Sequence, residues 1–398
     1  MATGRYCKLI MITTENNNKF YEMTEANGEI QVKYGRVDSS SVSVTYPLYK
    51  WDSLKASKEK KGYKDVTDLV SVVVTDNKSD VVTYTQIKDS QVNKFITLMK
   101  KYTDGLVKKV YSVKSTSVTA KQVEAAQTLL DELTKLDPKK DDHTKINNLL
   151  ISLYTSIPRY MGNTREHLLP AIEKTFAKVI AQEQDNLDAM AGQVQLNTKD
   201  KPTKKDVKKV KTILDDLGIT MEETKPTQDI QYLLDQIKSS GRKVAGLFAC
   251  NKPSEDKNFE QWIKDKKKKD TKHLIHGTRC TSVIPILQTS LQIRPAGNFS
   301  FSGKAYGDGN YFSEVVQKSL GYTGHDNDKV LLVYEVHIGN PFVYEGWYKG
   351  NSFTLNLTEL QKRGYDCTYV KAGNGLLNSE IIAYSEKQNR LKYIIWLQ

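Results

Sequence analysis

The spacing of apolar residues changes twice along this 398-residue chain, and the changes divide it into three regions. In residues 1–84 short runs alternate apolar and polar positions, which predicts β-strands. In residues 85–224 the apolar positions recur every three or four residues, which predicts amphipathic helices. Residues 225–398 combine short strands, short helices and glycine-rich turns. We therefore expect a multidomain α+β protein with a small β-rich domain, an all-α bundle and a mixed α/β domain.

Local residue patterns refine this outline. Asn27-Gly28 lies between two β-type runs and predicts a tight hairpin turn. Residues 68–85 are rich in β-branched side chains and predict a further strand. Thr119, with a glutamine three residues later, predicts a helix that begins with a capping box. Another helix is expected from about Leu168 to Met190.

The chain carries 59 Lys and Arg against 47 Asp and Glu, a net charge of +12. This excess is consistent with a polyanionic partner, although a lysine-rich solvated surface explains it equally well. No apolar run approaches the roughly 20 residues that a membrane span needs, so we expect no membrane association. The N-terminus lacks the pattern of a signal peptide. We therefore expect a protein that is not secreted, being nuclear in a eukaryote and cytoplasmic or nucleoid-associated in a bacterium or phage.

The four cysteines are far apart and never in Cys-x-x-Cys spacing; they are Cys7, Cys250, Cys280 and Cys367. This spacing excludes zinc fingers built from paired thiolates, and it excludes a disulfide scaffold. We expect no bound metal.

Three groups of residues in the last region are candidates for chemistry. His276 and Gly277 end an apolar run, which places an imidazole and an open backbone at a predicted strand end. Tyr311 follows a glycine-rich stretch, and Glu380 begins an apolar run, where an unpaired carboxylate is costly to bury. Taken singly, a turn, a hairpin and a solvent-facing glutamate explain them. Their order and spacing together make those explanations insufficient.

Four motifs follow one another in this region: HGTR at 276–279, GNYFS at 309–313, KSLGY at 318–322 and NSE at 378–380. This order resembles the catalytic domain of the poly(ADP-ribose) polymerases. The family's His-Tyr-Glu triad corresponds to His276, Tyr311 and Glu380. The resemblance implies an ADP-ribosyltransferase domain with a split antiparallel sheet, which uses NAD+ as its substrate and needs no metal.

The resemblance also implies how the site holds nicotinamide. The backbone of Gly277 and the hydroxyl of Ser319 would hydrogen-bond the carboxamide, and the rings of Tyr311 and Tyr322 would stack on either side. Glu380 would hydrogen-bond the nicotinamide ribose and polarise the acceptor hydroxyl. Because loss of nicotinamide leaves positive charge at an anomeric carbon, a carboxylate suits this position. A glutamate there is the family's feature for chain elongation, so polymer formation is implied.

The remaining implied contacts concern the rest of NAD+. His276 and Thr278 would hold the adenosine ribose, and Phe312 and Arg294 complete the implied NAD-binding set. Gln292 stands where relatives often have the arginine that approaches the phosphates, so the contact of Arg294 is left open.

Two further resemblances lie upstream, and they are carried by VKYGRV at 32–37, YTSIP at 154–158 and ILDDL at 213–217. Residues 85–224 look like the helical regulatory domain of the DNA-dependent members. Residues 1–84 are similar to a WGR domain, with a tyrosine in place of its signature tryptophan. The implied DNA contacts are made by Tyr34, Arg36, Lys50 and Trp51.

The implied function is a transferase that builds poly(ADP-ribose) on protein acceptors, including itself, and releases nicotinamide. DNA strand breaks would activate it by relieving inhibition by the helical domain, and we expect it to be monomeric. The alternatives are a mono-ADP-ribosyltransferase and a DNA-end-binding or protein-binding scaffold with a weak transferase fold.

Overall fold

The computed structural model describes residues 4–37, 39–67, 84–198, 211–294, 305–344, 354–373 and 376–398. The described residues form two compact units. The first contains those of 1–82 and 104–200, and the second contains those of 83–103 and 201–398. The domain boundaries expected from the sequence, at 84/85 and 224/225, are not tested by this division into two units and stay predictions. None of the helices in these ranges is both long and apolar enough to span a membrane.

The first unit contains an antiparallel five-stranded sheet in the order β4-β3-β2-β1-β5. Its elements are β1 Tyr6–Ile12, β2 Asn18–Ala26, β3 Glu29–Arg36, β4 Ser41–Pro47, α1 Trp51–Glu59 and β5 Lys64–Asp65. Asn27 and Gly28 join β2 to β3 with φ angles of 55° and 79°, which confirms the predicted hairpin. The strand predicted at 68–85 lies outside the described residues except for its last two positions.

The remaining helices of the first unit pack around one apolar cluster. They are α3 Ala120–Leu133, α4 His143–Ser156 and α5 Phe176–Thr198, with residues 104–110 of α2 Ser90–Val110. Thr119 and Gln122 form the predicted capping box, with bonds of 3.2 and 2.9 Å between each side chain and the other's backbone N–H. The predicted start at Leu168 is wrong, because α5 begins only at Phe176. Pro170 lies in the preceding segment and has no backbone N–H to continue a helix.

The second unit contains two sheets that share no strand. The larger has five strands in the order β6-β7-β14-β10-β8, all antiparallel, and the smaller has four in the order β11-β12-β13-β9. The strands are β6 Thr220–Glu223, β7 Val244–Asn251, β8 Thr271–Thr278, β9 Asn310–Phe312, β10 Lys329–His337, β11 Pro341–Tyr344, β12 Cys367–Val370, β13 Glu380–Ala383 and β14 Asn389–Leu397. The helices are α6 Ile213–Leu217, α7 Gln231–Ser239, α8 Pro253–Lys264, α9 Cys280–Thr289, α10 Val316–Leu320 and α11 Leu357–Lys362, with residues 90–103 of α2.

The strands of the second unit pair as the expected split antiparallel sheet predicts, with one exception. The strands β11 and β12 pair in parallel, in contrast to the other strand pairs of the smaller sheet. Parallel neighbours need a long crossover connection, and here the connection between the two strands contains α11.

Asp328 joins three parts of the second unit. Its Oδ2 accepts a hydrogen bond of 2.8 Å from the hydroxyl of Tyr102 in α2, and its Oδ1 accepts one of 2.8 Å from Nε1 of Trp396 in β14. Gln398 donates a third bond of 3.2 Å to Oδ1. Burial acts to raise the pKa of Asp328, but these hydrogen bonds outweigh it and hold the pKa below its ordinary value.

We expect Asp328→Ala to lower the free energy of unfolding by about 3 kcal/mol, because it leaves the partly buried donor of Tyr102 and the buried donor of Trp396 without a partner. The control is Asp326→Ala, which removes a carboxylate from the same loop. The contribution of Asp328 should be complete above pH ~4 and lost as the pH falls through its lowered folded pKa. Chemical denaturation of the wild type and both variants between pH 3 and about 7 measures this. Equal losses in the two variants would contradict the assignment.

Candidate active site

The first element of the candidate site is the end of β8. His276 lies opposite Leu332 in the β8–β10 ladder, and its Nδ1 is 3.1 Å from the carbonyl oxygen of Tyr311. A carbonyl only accepts, so Nδ1 carries the hydrogen. Burial lowers the pKa of His276, although the bond to the Tyr311 carbonyl opposes this. The imidazole is therefore neutral at neutral pH, and its Nε2 offers a lone pair to a hydroxyl such as that of a ribose.

Gly277 lies against α10 at very close range. A Cβ at this position would be 1.8 Å from the carbonyl oxygen of Ser319, so only glycine permits the observed packing. Ser319 is itself buried, and its Oγ donates to the carbonyl of Ile275 at 3.4 Å. The backbone of Gly277 and the hydroxyl of Ser319, which are predicted to bind the carboxamide, therefore lie close to each other.

Tyr311 lies on β9, opposite Ile382 of β13. Its hydroxyl accepts a 2.8 Å bond from the backbone N–H of Tyr306 and donates a 2.9 Å bond to the carbonyl of Gly307. Burial raises the pKa of Tyr311, so the hydroxyl stays protonated. The ring is thus held at both ends, by its own strand and by the loop that precedes it.

Glu380 is the first residue of β13 and is only 7% exposed. Its Oε1 is 2.8 Å from Nζ of Lys318 in α10, and the same ammonium donates to the carbonyl of Asn378 at 2.9 Å. This ion pair explains why a carboxylate is tolerated at the start of a buried strand. Sequence reasoning missed Lys318, because a lysine in a short helical turn usually faces solvent. Its position next to Ser319 was the one indication of a role.

Two backbone hydrogen bonds join the two sheets next to these residues. Ile275 and Ser313 exchange backbone bonds of 2.9 and 3.0 Å, so the end of β9 is attached to β8. Phe312 packs between the rings of His276 and Tyr334, with ring centroids 6.2 and 5.6 Å away, and is 2% exposed. The structure thus places Phe312 as a support for His276, and its predicted contact with NAD+ stays a prediction.

The other predicted NAD+ contacts lie around this centre. Thr278 is buried at the end of β8, and Tyr322 follows α10 with 40% of its surface exposed. Arg294 ends a described segment in which the backbone N–H of Ile293 donates to Glu386 at 2.8 Å. The roles of these residues stay predictions.

Comparison with known proteins decides the family. A model described as the poly(ADP-ribose) polymerase catalytic domain matches residues 222–398. The chain is also 55% identical over 170 residues to a protein of Invertebrate iridescent virus 6, described as "Putative poly [ADP-ribose] polymerase-like 100L". That alignment covers 42% of this chain and 93% of the relative. The chain belongs to the poly(ADP-ribose) polymerase family. The second unit therefore carries an ADP-ribosyltransferase catalytic domain, for which NAD+ is the substrate.

Two further relatives show how far the family likeness extends. "Uncharacterized protein 101L" of the same virus is 43% identical over 193 residues, which cover 48% of this chain and 79% of the relative. "Poly [ADP-ribose] polymerase 1" of Danio rerio is 24% identical over 313 residues, which cover 70% of this chain and 30% of the relative. The similarity to this polymerase thus runs beyond the residues that the catalytic-domain model matches.

The four residues predicted to contact DNA lie in the first unit of this chain. Arg36 donates to the carbonyls of Asn16 and Gly162, and Trp51 is 6% exposed beneath the guanidinium of Arg5. The side chains of Arg36 and Trp51 are thus engaged within the unit.

Tyr34 and Lys50 are more exposed than the buried Trp51. Tyr34 is half-buried with the ammonium of Lys58 5.5 Å from its ring centroid, and Lys50 lies 6.0 Å from the ring centroid of the exposed Tyr49. The DNA contacts of all four predicted residues stay predictions.

We expect Gly277→Ala to abolish ADP-ribosyl transfer, because the added methyl group forces α10, with Ser319, away from β8. The matched control is Gly105→Ala, at an exposed position of α2 where a Cβ meets no atom within 4 Å. That change should raise stability by about 0.5–1 kcal/mol and leave transfer unchanged. Transfer from labelled NAD+ and thermal unfolding measure both effects. Full activity of the Gly277→Ala protein would show that α10 need not lie against β8.

Proposed function

We propose that this protein transfers ADP-ribose from NAD+ to protein acceptors, itself included, and elongates it into a polymer. The observation that carries the proposal is the buried carboxylate of Glu380, held by Lys318 beside the strand end of His276 and Gly277. In this reading the bond between nicotinamide and the ribose anomeric carbon breaks, and nicotinamide leaves with the bonding electrons. The acceptor oxygen then forms the new bond to that carbon and releases its proton.

Each of the paired residues has a distinct part in this reaction. Glu380 presents one oxygen to Lys318, which leaves its second oxygen for the ribose hydroxyl and for the hydroxyl of the acceptor. The carboxylate offsets the positive charge that develops on the ribose, and it draws the acceptor proton away as the new bond forms. Lys318 acts as a positioning residue, since its contacts to Glu380 and Asn378 fix where the carboxylate points.

The nicotinamide end of NAD+ is proposed to bind where α10 meets β8. The backbone of Gly277 and the hydroxyl of Ser319 supply the hydrogen bonds to the carboxamide, and Tyr311 and Tyr322 supply the aromatic faces. His276, neutral and with Nε2 available, accepts a hydrogen bond from the adenosine ribose. These roles follow from the family resemblance together with the positions described above.

We expect Glu380→Gln to abolish elongation and to lower transfer by roughly 100-fold or more, because an amide of the same shape neither offsets positive charge nor takes a proton. Lys318→Met should lower elongation by about tenfold, since the carboxylate is then no longer held in place. Labelled NAD+ and gel analysis measure both, as a polymer gives a high-mass smear. The control is Lys362→Gln, which removes an exposed lysine that is paired with Glu359.

The outcome also separates the alternatives. A single sharp band from the wild type would favour a mono-ADP-ribosyltransferase, and no incorporation under any condition would favour a scaffold with a silent transferase fold. Polymer made by the Glu380→Gln protein at the wild-type rate would remove Glu380 from its proposed role.

We also propose that DNA strand breaks bind the first unit and activate transfer by relieving inhibition by the helical region. Lys58 supports a DNA surface there, because its ammonium lies 5.5 Å from the ring centroids of the half-buried Tyr34 and Tyr63. Burial and the nearby charges of other lysines lower the pKa of Lys58. Basic groups interleaved with aromatic rings are typical of surfaces that bind phosphates and bases.

We expect Lys58→Gln and Lys50→Gln each to weaken binding to a blunt DNA duplex and to reduce the salt dependence of the affinity by about 0.9 in the logarithmic slope, because each removes one phosphate contact. The control is Lys140→Gln, which removes a more exposed lysine of the first unit. Fluorescence anisotropy at several salt concentrations measures the slopes. Slopes identical to the wild type in both variants would contradict this surface, and no binding to any DNA would favour a protein-binding module.

A further inference from the structure

A cavity lies in the catalytic unit, outside the residues assigned to NAD+. Its volume is about 260 Å³, and it is lined by Asp229, Tyr232, Lys272, His273 and Glu314. These residues come from the turn before α7, from α7 itself, from the start of β8 and from the segment after β9. Neither the family match nor the proposed reaction gives this cavity a role.

Hydrogen bonds hold one wall of the cavity in place. The hydroxyl of Tyr232 donates to the carbonyl of His273, and Nδ1 of His273 is 3.3 Å from Oδ2 of Asp229. The hydroxyl of Tyr393 donates to the same carboxylate oxygen at 3.3 Å. Burial lowers the pKa of His273, so the imidazole is neutral and donates its Nδ1 hydrogen to an ionised Asp229. The carboxylate and the Tyr232 ring, which is 38% exposed, are therefore oriented before any ligand arrives.

Another part of the lining is an exposed ion pair, which can open. Nζ of Lys272 is 2.9 Å from Oε1 of Glu314, and both side chains are substantially exposed. Ion pairs at such exposure contribute little to stability, because water and salt screen them. Glu314 thus already binds a cation, and that cation is free to move into solvent when a better one takes its place.

The lining is negative in a protein that is positive overall. With His273 neutral, Asp229 and Glu314 supply two negative charges and Lys272 supplies one positive charge. The side chains that line the cavity thus carry a net negative charge beside an accessible tyrosine face, whereas the chain as a whole carries +12. A flat cation that stacks on a ring and bonds to carboxylates through several N–H groups fits this combination, and the guanidinium group is that cation.

We propose that this cavity binds a guanidinium group, as an arginine side chain of a bound polypeptide presents it. The group stacks on Tyr232, takes the place of Lys272 at Glu314 and has Asp229 as its second anion. The side chain of Gln236 bonds to the carbonyl of Glu314 and to the N–H of Val316 at 2.9 and 3.0 Å. The bound arginine therefore lies beside the segment that leads into α10, which carries the positioning residue Lys318.

The test measures binding directly, without NAD+, so that it is independent of the proposed reaction. Capped tripeptides with arginine, citrulline or lysine at the centre, and free arginine, are titrated into the full chain by ligand-observed NMR. We expect the arginine peptide to bind about tenfold more tightly than the citrulline peptide, which has the same shape and no charge. Free arginine that binds as the peptide does identifies the side chain as the ligand. Equal binding of the arginine and citrulline peptides, or no binding of either, overturns the proposal.

Variants locate the binding in this cavity. Glu314→Gln should weaken the arginine peptide about tenfold, and Tyr232→Leu should weaken it about threefold. Lys272→Gln should strengthen it severalfold, because the change removes the internal competitor; a merely structural lysine would not give this sign. Asp235→Asn, on the same helix as Tyr232 and outside the cavity lining, is the matched control. Thermal unfolding confirms that each variant is folded, and weaker binding in Lys272→Gln overturns the proposal.

Discussion

The close approach of α10 to β8 at Gly277 is the contact on which the candidate site depends. The two backbones pack so closely there that no side chain fits between them. The short helix α10 is therefore fixed in position relative to the strand end that carries His276. Ser319 and Lys318 are consecutive residues of that helix, so the same contact places both. Lys318 then reaches across to Glu380 on the smaller sheet. One packing contact and one ion pair thus bring residues from two sheets to one centre.

Carboxylates in the catalytic unit have three different surroundings, and these distinguish their roles. Asp328 is surrounded by neutral donors from distant parts of the chain, which suits a structural junction. Glu380 has one cation that is only 12% exposed and one oxygen that Lys318 does not bind, which suits the proposed chemistry. Glu314 has a partner that is largely in solvent, which suits exchange with a ligand. The number and exposure of the partners, and not the residue type, thus separate the structural carboxylate from the two that we propose for catalysis and for ligand binding.

The first unit shows how a family pattern can mark positions without showing which side chains are accessible. Arg36 and Trp51 stand in the stretches that resemble a WGR domain, yet Arg36 bonds to backbone carbonyls of its own unit and Trp51 lies in the core. Lys58, which no motif singled out, instead lies over the rings of Tyr21, Tyr34 and Tyr63. Which cation meets which ring depends on how α1 packs on the sheet, and a linear pattern does not contain this information.

The sequence by itself determined one hairpin and one helix cap, and it predicted which residues form the candidate site. The Asn27-Gly28 hairpin and the Thr119 capping box were predictable because both depend on backbone preferences within a few residues. The order of His276, Tyr311 and Glu380 was readable because the family motifs are contiguous. Only the tertiary structure decided the parallel pairing of β11 with β12, the late start of α5, the ion pair of Lys318 with Glu380 and the cavity at Tyr232. The pairing, the ion pair and the cavity join segments that are distant in the chain, so packing of the whole unit, and not local preference, determines them.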